Sequence, residues 1–494
     1  MNRSPRVVVA GLKGGSGKTT LSLGLLGAFR QRGLRPLAFK KGPDYIDAAW
    51  LAAAAGAPCY NLDPFLIGEE NTLPSFVSRA ADADISLVEG NRGIFDGMDL
   101  QGSQSTARLA ELLSAPVVLV MDASKMTRTA AALVLGIMKF DPALALGGVV
   151  LNQVAGARHE TMLRRSIEHY TGVAVLGAIP RLRSQSGPDG GKLLTERHMG
   201  LLACQEHPDA EKALETAARL ITESVDVEGV LRVARGVPAV KAASRPAKRG
   251  SAEEAVKKRR AAVVIGVLRD SAFQFYYPEN LEALEALGAR LEVVSPLLGK
   301  GPFPDVDALY IGGGFPETHA AELSGNKAFL RALKTRIEQG LPVYAECGGL
   351  MYLASHIELN GRRLPMAGIF PFGMTLEKRP VAHGYSAARV CAKNAFYPEG
   401  TVLKGHEFHY SNPMRLARKT RLAAEEKTSF ALKMERGTGI EGAMDGLVYK
   451  NVFATYTHTH VLGTPEWASG MLAAAKSFRK TRSFRKKGAA AARP

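Results

Sequence analysis

Cysteine is scarce in this sequence, with four residues in 494 and no CxxC pair. That scarcity excludes a disulfide framework and a cysteine-based zinc site, and it is typical of a reducing compartment. Long apolar runs are missing too, because none approaches the roughly 20 residues that a membrane helix needs. The N-terminal stretch MNRSPRVVVAGLKGG also lacks the apolar core of a secretory signal. We therefore expect a cytoplasmic protein with no membrane partner.

Acidic residues are in deficit, and the formal net charge is +17. Much of the excess lies in two stretches rich in Ala, Ser, Lys and Arg, at residues 241–260 and 476–493. Such compositions are typical of solvated linkers and tails. We therefore expect no nucleic-acid partner, and the charge has an alternative use in attracting a polyanionic substrate.

A chain of 494 residues is too long for one ordinary core. Residues 6–235 alternate apolar strands, such as VVVAG, ISLVEG and PVVLVMD, with helical stretches, and a second alternation begins with AAVVIGVLRD. This pattern predicts α/β architecture with two doubly wound domains. We place the domains at 1–235 and 261–475, with a basic linker at 236–260 and a basic flexible tail at 476–494.

A glycine-rich loop, GLKGGSGKTT, follows the first strand and opens a helix. The backbone N–H groups of such a loop turn inward around phosphates, Lys18 reaches the terminal phosphates, and Thr19 is placed to ligate Mg²⁺. Leu12 breaks the strict GxxxxGK[ST] spacing. Lys13 gives the loop a likeness to that of the partitioning ATPases, so an ATPase switch is the alternative for this half. The predicted ATP-binding loop residues are Gly14, Gly15, Gly17, Lys18, Thr19 and Thr20.

Acidic side chains follow two of the predicted strands. KKGPDYID contains Asp44 and Asp47, and Glu89 closes ISLVE. The carboxyl edge of a parallel sheet, facing a phosphate loop, suits a Mg²⁺-binding carboxylate, so Thr19, Asp47 and Glu89 are the predicted metal ligands. A Pro-Asp turn beside solvated lysines explains the first motif nearly as well. Asn152, at the end of GGVVLNQV, is placed either to read an adenine edge or to form a plain turn.

The second half contains a predicted nucleophile elbow in YAECGGL. Cys347 lies in a tight turn between a strand and a helix, and we expect the helix N-terminus to lower the pKa of its thiol. Upstream, LYIGGGFPE supplies a glycine turn. The N–H groups of Gly313 and Gly314 are placed to form an oxyanion hole with that of Gly348.

A cysteine nucleophile needs a base, and TYTHTH offers one far downstream. His458 and His460 alternate along a predicted strand and point to the same side of it. The pattern therefore does not separate them. A metal site built from this pair is a rival reading, but no third ligand of suitable spacing stands near.

Nine motifs in this order resemble the cobyrinic acid a,c-diamide synthases over nearly the whole chain. They are KKGPDYID, VEGNRGIFDG, SAPVVLVMDAS, GGVVLNQV, LGAIPR, LYIGGGFPE, YAECGGLMYL, GHEFHYSN and TYTHTH. The resemblance implies a P-loop NTPase-like, dethiobiotin-synthetase-like domain followed by a class I-like glutamine amidotransferase domain. It also implies ATP and Mg²⁺, with a tetrapyrrole polycarboxylate and L-glutamine as small-molecule partners.

The resemblance also implies a mechanism. ATP phosphorylates a carboxylate of the macrocycle, most simply the a- and c-acetates of cobyrinic acid, and ammonia from glutamine converts the acyl phosphate to an amide. Cys347 would be the nucleophile and His458 its activator. The acidic residue that usually completes a Cys-His-Glu triad is not at its expected place after the histidine. Glu466 is too far along the chain to be assigned to that position. We therefore expect a catalytic dyad.

The substrate side departs from the family pattern. Asn91-Arg92 stands where the relatives usually carry apolar residues, and the loop after Gly97 is short. The amidated substrate is therefore open between cobyrinate, sirohaem and nickel-sirohydrochlorin, and a homodimer is one option for the assembly. The residues that we expect around the substrate are Asp44, Tyr45, Arg92 and Asp96.

Overall fold

The computed structural model describes residues 4–181, 196–197, 200–240, 262–298, 303–414 and 428–491. It divides the chain into two compact units, Met1–Lys248 and Arg249–Pro494. The division falls in the segment expected to be a linker, of which residues 241–260 lie outside the described residues. Within the described ranges, no helix combines the length and the apolar character needed to cross a membrane.

The elements of the first unit alternate between strands and helices. In chain order they are β1 (Arg6–Gly11), α1 (Lys18–Gln31), β2 (Pro36–Lys41), α2 (Ile46–Ala55), β3 (Tyr60–Leu62), α3 (Pro64–Ile67), α4 (Glu69–Arg79), β4 (Ile85–Glu89), α5 (Thr106–Leu112), β5 (Val117–Asp122), α6 (Thr129–Phe140), β6 (Leu146–Val154), α7 (Ala157–Thr171), β7 (Val175–Pro180), β8 (Glu196–Arg197), β9 (Gly200–Leu201), α8 (Ala210–Ser224) and α9 (Val227–Arg235).

The first seven strands form a parallel sheet in the order β3-β2-β4-β1-β5-β6-β7. Strands β1, β2 and β4 are buried along their whole length, as their near-continuous apolar sequences require of strands covered on both faces. The central position of β1 brings its loop to the carboxyl edge of the sheet, beside the ends of β4 and β5. A ligand of an open α/β sheet binds at that edge.

The second unit is a mixed α/β fold. In chain order its elements are β10 (Val264–Leu268), α10 (Pro278–Ala286), β11 (Arg290–Val294), β12 (Ala308–Ile311), α11 (Ala320–Gly325), α12 (Lys327–Glu338), β13 (Val343–Glu346), α13 (Gly348–Leu353), β14 (His356–Leu359), β15 (Arg362–Pro365), β16 (Met374–Leu376), β17 (Ala382–Val390), β18 (Val402–His409), β19 (Ser411–Pro413), β20 (Thr428–Arg436), β21 (Met444–Tyr449), β22 (Val452–Thr455), β23 (His458–Thr459) and α14 (Glu466–Ala491).

Ten of these strands form one sheet in the order β11-β10-β12-β13-β22-β21-β20-β17-β18-β23. The pairs from β11 to β22 are parallel, and the remaining pairs are antiparallel. The sheet is therefore doubly wound only in its first part. Strands β13 and β22 lie side by side near its centre, and Glu346 of the motif YAECGG pairs with Thr455, the first residue of TYTHTH.

Helix α14 runs through residues that we expected to form a flexible tail. Phe478 is buried in the core of the second unit, and the Arg479 guanidinium donates to the Ala262 carbonyl at 2.7 Å. The Arg482 guanidinium forms ion pairs with Asp305 and Asp307. The chain is helical up to residue 491, and as far as Arg482 one aromatic side chain and two arginines make contacts that a basic composition does not reveal.

Candidate functional site

The glycine-rich loop lies between β1 and α1 in the conformation that a phosphate loop requires. Gly15 and Gly17 adopt left-handed backbone conformations, with φ of 73° and 99°. A side chain at Gly17 would lie 2.2 Å from the Asn152 amide nitrogen, which donates to the Ser16 carbonyl at 3.0 Å. The Asn152 amide therefore supports the loop directly, a contact that neither sequence reading of this residue anticipated.

Lys18 is held by two carbonyl groups. Its ammonium donates to the Lys13 carbonyl at 3.2 Å and to the Arg92 carbonyl at 2.8 Å. Burial lowers the pKa of Lys18, and Glu89 opposes that effect. Arg92 itself has a left-handed backbone, with φ of 49°, a conformation that is uncommon for a residue other than glycine. The backbone at Arg92 thus helps to position the loop lysine.

The three predicted metal ligands meet around a lysine that we did not include in the site. The Thr19 hydroxyl donates to Glu89 Oε1 at 3.2 Å. The Lys40 ammonium lies 2.6 Å from the same Glu89 oxygen and 2.7 Å from Asp47 Oδ2. Lys40 is one of the two lysines in KKGPDYID, and it sits between the carboxylates because β2 and β4 are adjacent.

The charges of this cluster depend on one another. Burial acts to lower the pKa of Lys40, but Asp47, Glu89 and Asp44 outweigh it and raise that pKa well above its usual value. Burial acts to raise the pKa of Asp47, and the charge and hydrogen bond of Lys40 outweigh it and lower that pKa. Burial and the neighbouring Asp47 raise the pKa of Asp44. Lys40 and Asp47 thus carry opposite charges at neutral pH.

The donor set is compatible with Mg²⁺. Glu89 is fully buried, and its Oε2 has no hydrogen-bond partner among the described residues. Carboxylate and hydroxyl oxygens are the ligands that Mg²⁺ takes, with phosphate and water completing the shell. Among residues that the structure describes, no group of three or more His, Cys, Asp or Glu side chains forms a metal site by itself.

The predicted substrate residues lie around the same edge of the sheet. Asp44 Oδ1 accepts the Asp47 N–H at 2.9 Å, and Tyr45 immediately precedes α2. Arg92 and Asp96 have exposed side chains, and Asp96 Oδ2 accepts the Gly93 N–H at 2.8 Å. Arg92 and Asp96 are therefore near the loop lysine and exposed, while Asp44 is tied to the carboxylate cluster through Asp47.

In the second unit, Cys347 lies in the predicted elbow between β13 and α13. Its φ of 49° and ψ of −99° are a sparsely populated combination, which costs about 1–3 kcal/mol and is common at functional sites. The Cys347 N–H donates to the Thr455 carbonyl at 2.8 Å, which ties the elbow to β22. Gly348 follows at the start of α13, and a side chain there would lie 3.0 Å from the Gly314 nitrogen. Of the three residues predicted to form the oxyanion hole, Gly314 and Gly348 are therefore neighbours, and Gly313 lies next to Gly314 in the same turn.

His458 and His460 occupy different environments. A side chain at Gly313 would lie 2.5 Å from His458 Cε1 and 3.3 Å from Nε2, so the His458 ring packs against the glycine turn. The His460 ring instead lies beside Tyr277, with ring centroids 4.7 Å apart, and its Nε2 is 3.6 Å from Glu279 Oε1. The geometry thus favours His458 as the base, the choice that the spacing alone left open.

The thiol differs from the sequence expectation in one respect. Burial, followed by the charge of Glu317, raises the pKa of Cys347 well above its usual range, and the hydrogen bond with the Gly348 N–H only partly opposes this. The expected lowering by the helix N-terminus is therefore outweighed. The thiol needs a base, because desolvation disfavours the thiolate.

The GHEFHYSN motif places three ionisable side chains next to this site. The His406 ring stacks on His458, with centroids 4.8 Å apart. Glu407 accepts the N–H groups of Thr438 and Gly439, and burial raises the pKa of Glu407 to about 7. His409 stacks on Tyr456, which lies in the TYTHTH motif. The sequence assigns this motif no chemical role. Its strand, β18, pairs with β23, so the motif lies beside His458.

Comparison with known proteins covers both units. Residues 7–186 match the CobQ/CobB/MinD/ParA nucleotide binding domain, and residues 264–466 match the CobB/CobQ-like glutamine amidotransferase domain. A cobyrinate a,c-diamide synthase of Magnetococcus marinus is 41% identical over 466 residues, which cover 94% of this chain and 96% of the relative. A cobyrinate a,c-diamide synthase of Archaeoglobus fulgidus is 37% identical, covering 93% of this chain and 94% of the relative.

These similarities confirm the predicted fold class and the family resemblance. The first unit contains a nucleotide-binding domain of the P-loop type, and the second contains a glutamine amidotransferase domain. The combination makes the chain a glutamine-dependent carbon–nitrogen ligase. With relatives at this identity aligned along nearly its whole length, the chain belongs to the cobyrinate a,c-diamide synthase family.

Proposed function

We propose that this chain uses ATP and glutamine to amidate side-chain carboxylates of a tetrapyrrole, namely the a- and c-acetates of cobyrinic acid. The observation that carries the proposal is the near full-length similarity to relatives named cobyrinate a,c-diamide synthase. The two clusters described above supply the groups that each half of the reaction needs. A partitioning-type ATPase would leave the elbow of the second unit without a purpose.

In the first unit, a carboxylate oxygen of the tetrapyrrole attacks the γ-phosphorus of ATP, ADP leaves, and an acyl phosphate forms. Lys18 and the loop N–H groups stabilise the charge on the transferred phosphoryl group. Thr19, Asp47 and Glu89 would hold Mg²⁺, which when bound offsets phosphate charge. The Lys40 ammonium forms ion pairs with Asp47 and Glu89 and so holds the two carboxylates side by side.

In the second unit, the Cys347 thiol transfers its proton to His458 and the sulfur attacks the side-chain amide carbon of glutamine. The N–H groups of Gly314 and Gly348 stabilise the resulting oxyanion. His458 returns the proton to the leaving ammonia, and water hydrolyses the thioester to glutamate. Ammonia then attacks the acyl phosphate, so that an amide forms and phosphate is released.

The test is to incubate the full chain with ATP, Mg²⁺ and glutamine and one tetrapyrrole at a time: cobyrinic acid, sirohaem or nickel-sirohydrochlorin. Mass spectrometry should find two carboxylic acids of cobyrinic acid converted to amides. Lys18→Ala should abolish the conversion with either glutamine or ammonium as donor. Amidation of another tetrapyrrole in preference to cobyrinic acid, or of none of the three, would overturn the proposal.

A further inference from the structure

Two buried glutamate–histidine pairs lie among the described residues of the second unit. His458 Nδ1 is 3.7 Å from Glu346 Oε2, with the two side chains 2% and 0% exposed. His460 Nε2 is 3.6 Å from Glu279 Oε1, with both side chains fully buried. The pairs are alike in distance and burial, so proximity of a carboxylate alone does not distinguish them.

Their relation to the elbow does distinguish them. Glu346 is the last residue of β13 and immediately precedes Cys347, while its partner His458 packs on the glycine turn at Gly313. The other pair is tied to different groups, since His460 Nδ1 accepts the Leu462 N–H at 3.2 Å. Only the first pair therefore joins the strand that carries the nucleophile to the histidine beside it.

The Glu346 carboxylate is held in one orientation. Its Oε1 accepts the Thr459 N–H at 3.1 Å, and its Oε2 accepts the Tyr310 hydroxyl at 2.9 Å. Each carboxylate oxygen thus accepts one hydrogen bond, and the two together fix the orientation of the group. The oxygen nearest His458 is thus a fixed acceptor, oriented by Tyr310 of β12 and by Thr459, the neighbour of the histidine in β23.

The His458 ring is also restrained on its face. The His406 ring stacks on it at an interplanar angle of 18°. His406 Nδ1 lies 3.3 Å from the Tyr277 hydroxyl, and burial lowers the pKa of His406 well below its usual value. Burial therefore favours the neutral form of His406, which acts here as a flat, uncharged surface against the His458 ring.

We propose that Glu346 is the positioning residue of the glutaminase site: it holds the proton of His458 on Nδ1, which leaves Nε2 to take the Cys347 proton, and it stabilises the imidazolium that results. This inference rests on the proposed function. The 3.7 Å separation is longer than a hydrogen bond, and catalytic hydrogen bonds of free enzymes often tighten only when substrate binds. Glu346 thus takes the place of the acidic residue that the sequence lacks after its histidine.

The experiment compares Glu346→Gln with Glu279→Gln in the full chain, measuring release of glutamate from glutamine. Glu346→Gln should lower kcat by about 10²-fold or more and leave KM for glutamine nearly unchanged, because a misoriented base affects the proton transfer and not the binding. Glu279→Gln should keep kcat near that of the unaltered chain. Equal kcat in Glu346→Gln and the unaltered chain, or equal losses in both variants, would overturn the inference.

A pH profile separates positioning from a general structural effect. Removing the carboxylate charge destabilises the His458 imidazolium, so the acid limb of kcat/KM should move to lower pH in Glu346→Gln. A lower kcat with an unmoved acid limb would contradict the inference. If Glu346→Gln fails to fold, the same pH profile is measured on Glu346→Asp. The kcat of that variant and the position of its acid limb should lie between those of the unaltered chain and of a variant without a base.

One measurement needs neither a variant of Glu346 nor turnover. In ¹⁵N-histidine NMR of the unaltered chain, the His458 signal, assigned by its loss in His458→Asn, should show the neutral ring protonated on Nδ1. Protonation on Nε2 would refute the role of Glu346. Failure of the unaltered chain to release glutamate would instead refute the proposed function, so the two failures are distinguishable.

Discussion

Replacement of Gly313 by alanine tests whether His458 works from the position in which it packs on the glycine turn. The added methyl group would lie 2.5 Å from His458 Cε1, whereas ordinary contact begins at 3.4 Å, so the ring must retreat by roughly 0.9 Å. Gly313 is not in the left-handed region, so alanine introduces no backbone strain of its own. A displacement of about 1 Å in a catalytic group lowers the rate by about 10²-fold.

The assay is glutamate release by purified Gly313→Ala, with Gly325→Ala as the matched control. Gly325 ends α11 and has no atom within 4 Å of an added methyl group, so its variant should behave like the unaltered chain. Gly313→Ala should lose about 10²-fold in kcat/KM for glutamine while unfolding at nearly the same temperature. Full glutaminase activity in Gly313→Ala would refute the assignment of His458 as the base in this position.

The remaining predictions concern both units. Cys347→Ser should lose amidation with glutamine but keep it with ammonium, and failure of ammonium to support the reaction would mean that Cys347 serves more than glutamine hydrolysis. Arg92→Met should raise KM for the tetrapyrrole about tenfold with little change in KM for ATP, because a guanidinium pairs with a carboxylate through two hydrogen bonds. Equal KM values for the tetrapyrrole in the variant and the unaltered chain would refute this role of Arg92. Lys40→Met should lower the free energy of unfolding of the first unit by about 3–5 kcal/mol, because it leaves buried carboxylates unpaired. Denaturant titration measures this change. Removal of residues 476–494 should lower the melting temperature of the second unit by removing buried Phe478, and unchanged melting would show that α14 does not contribute to stability beyond residue 475.

The parts of the fold and the site that were predictable are those that short sequence segments determine. The buried parallel strands of the first unit have near-continuous apolar sequences, and the loop after β1 carries the glycines that its left-handed positions need. The elbow at Cys347 was equally readable, because a strand, a cysteine and two glycines are contiguous. Each of these features depends on residues within about ten positions of one another.

The groups that the sequence did not reveal depend on strand pairing. Lys40 bridges Asp47 and Glu89 only because β2 and β4 are adjacent, which brings together residues 49 positions apart. Glu346 meets His458 because β13 pairs with β22, the strand that leads to the histidine. A glutamate before a cysteine and a lysine before a turn are both common in sequences. The local sequence therefore does not distinguish Glu346 or Lys40 from an ordinary surface residue.

The thiol of Cys347 shows why a local rule can locate an elbow and still mispredict the pKa of its cysteine. The elbow offers the sulfur one hydrogen bond, from the Gly348 N–H at the start of a six-residue helix, and this contact favours the thiolate. The same elbow buries the sulfur and surrounds it with the charges of Glu317 and Glu346, and these effects favour the thiol. Burial is a property of the assembled sheet, which no seven-residue motif contains. On the mechanism proposed above, a protonated cysteine makes proton transfer to His458 part of the reaction with glutamine. The orientation of that histidine would then matter more than the helix N-terminus for forming the nucleophile.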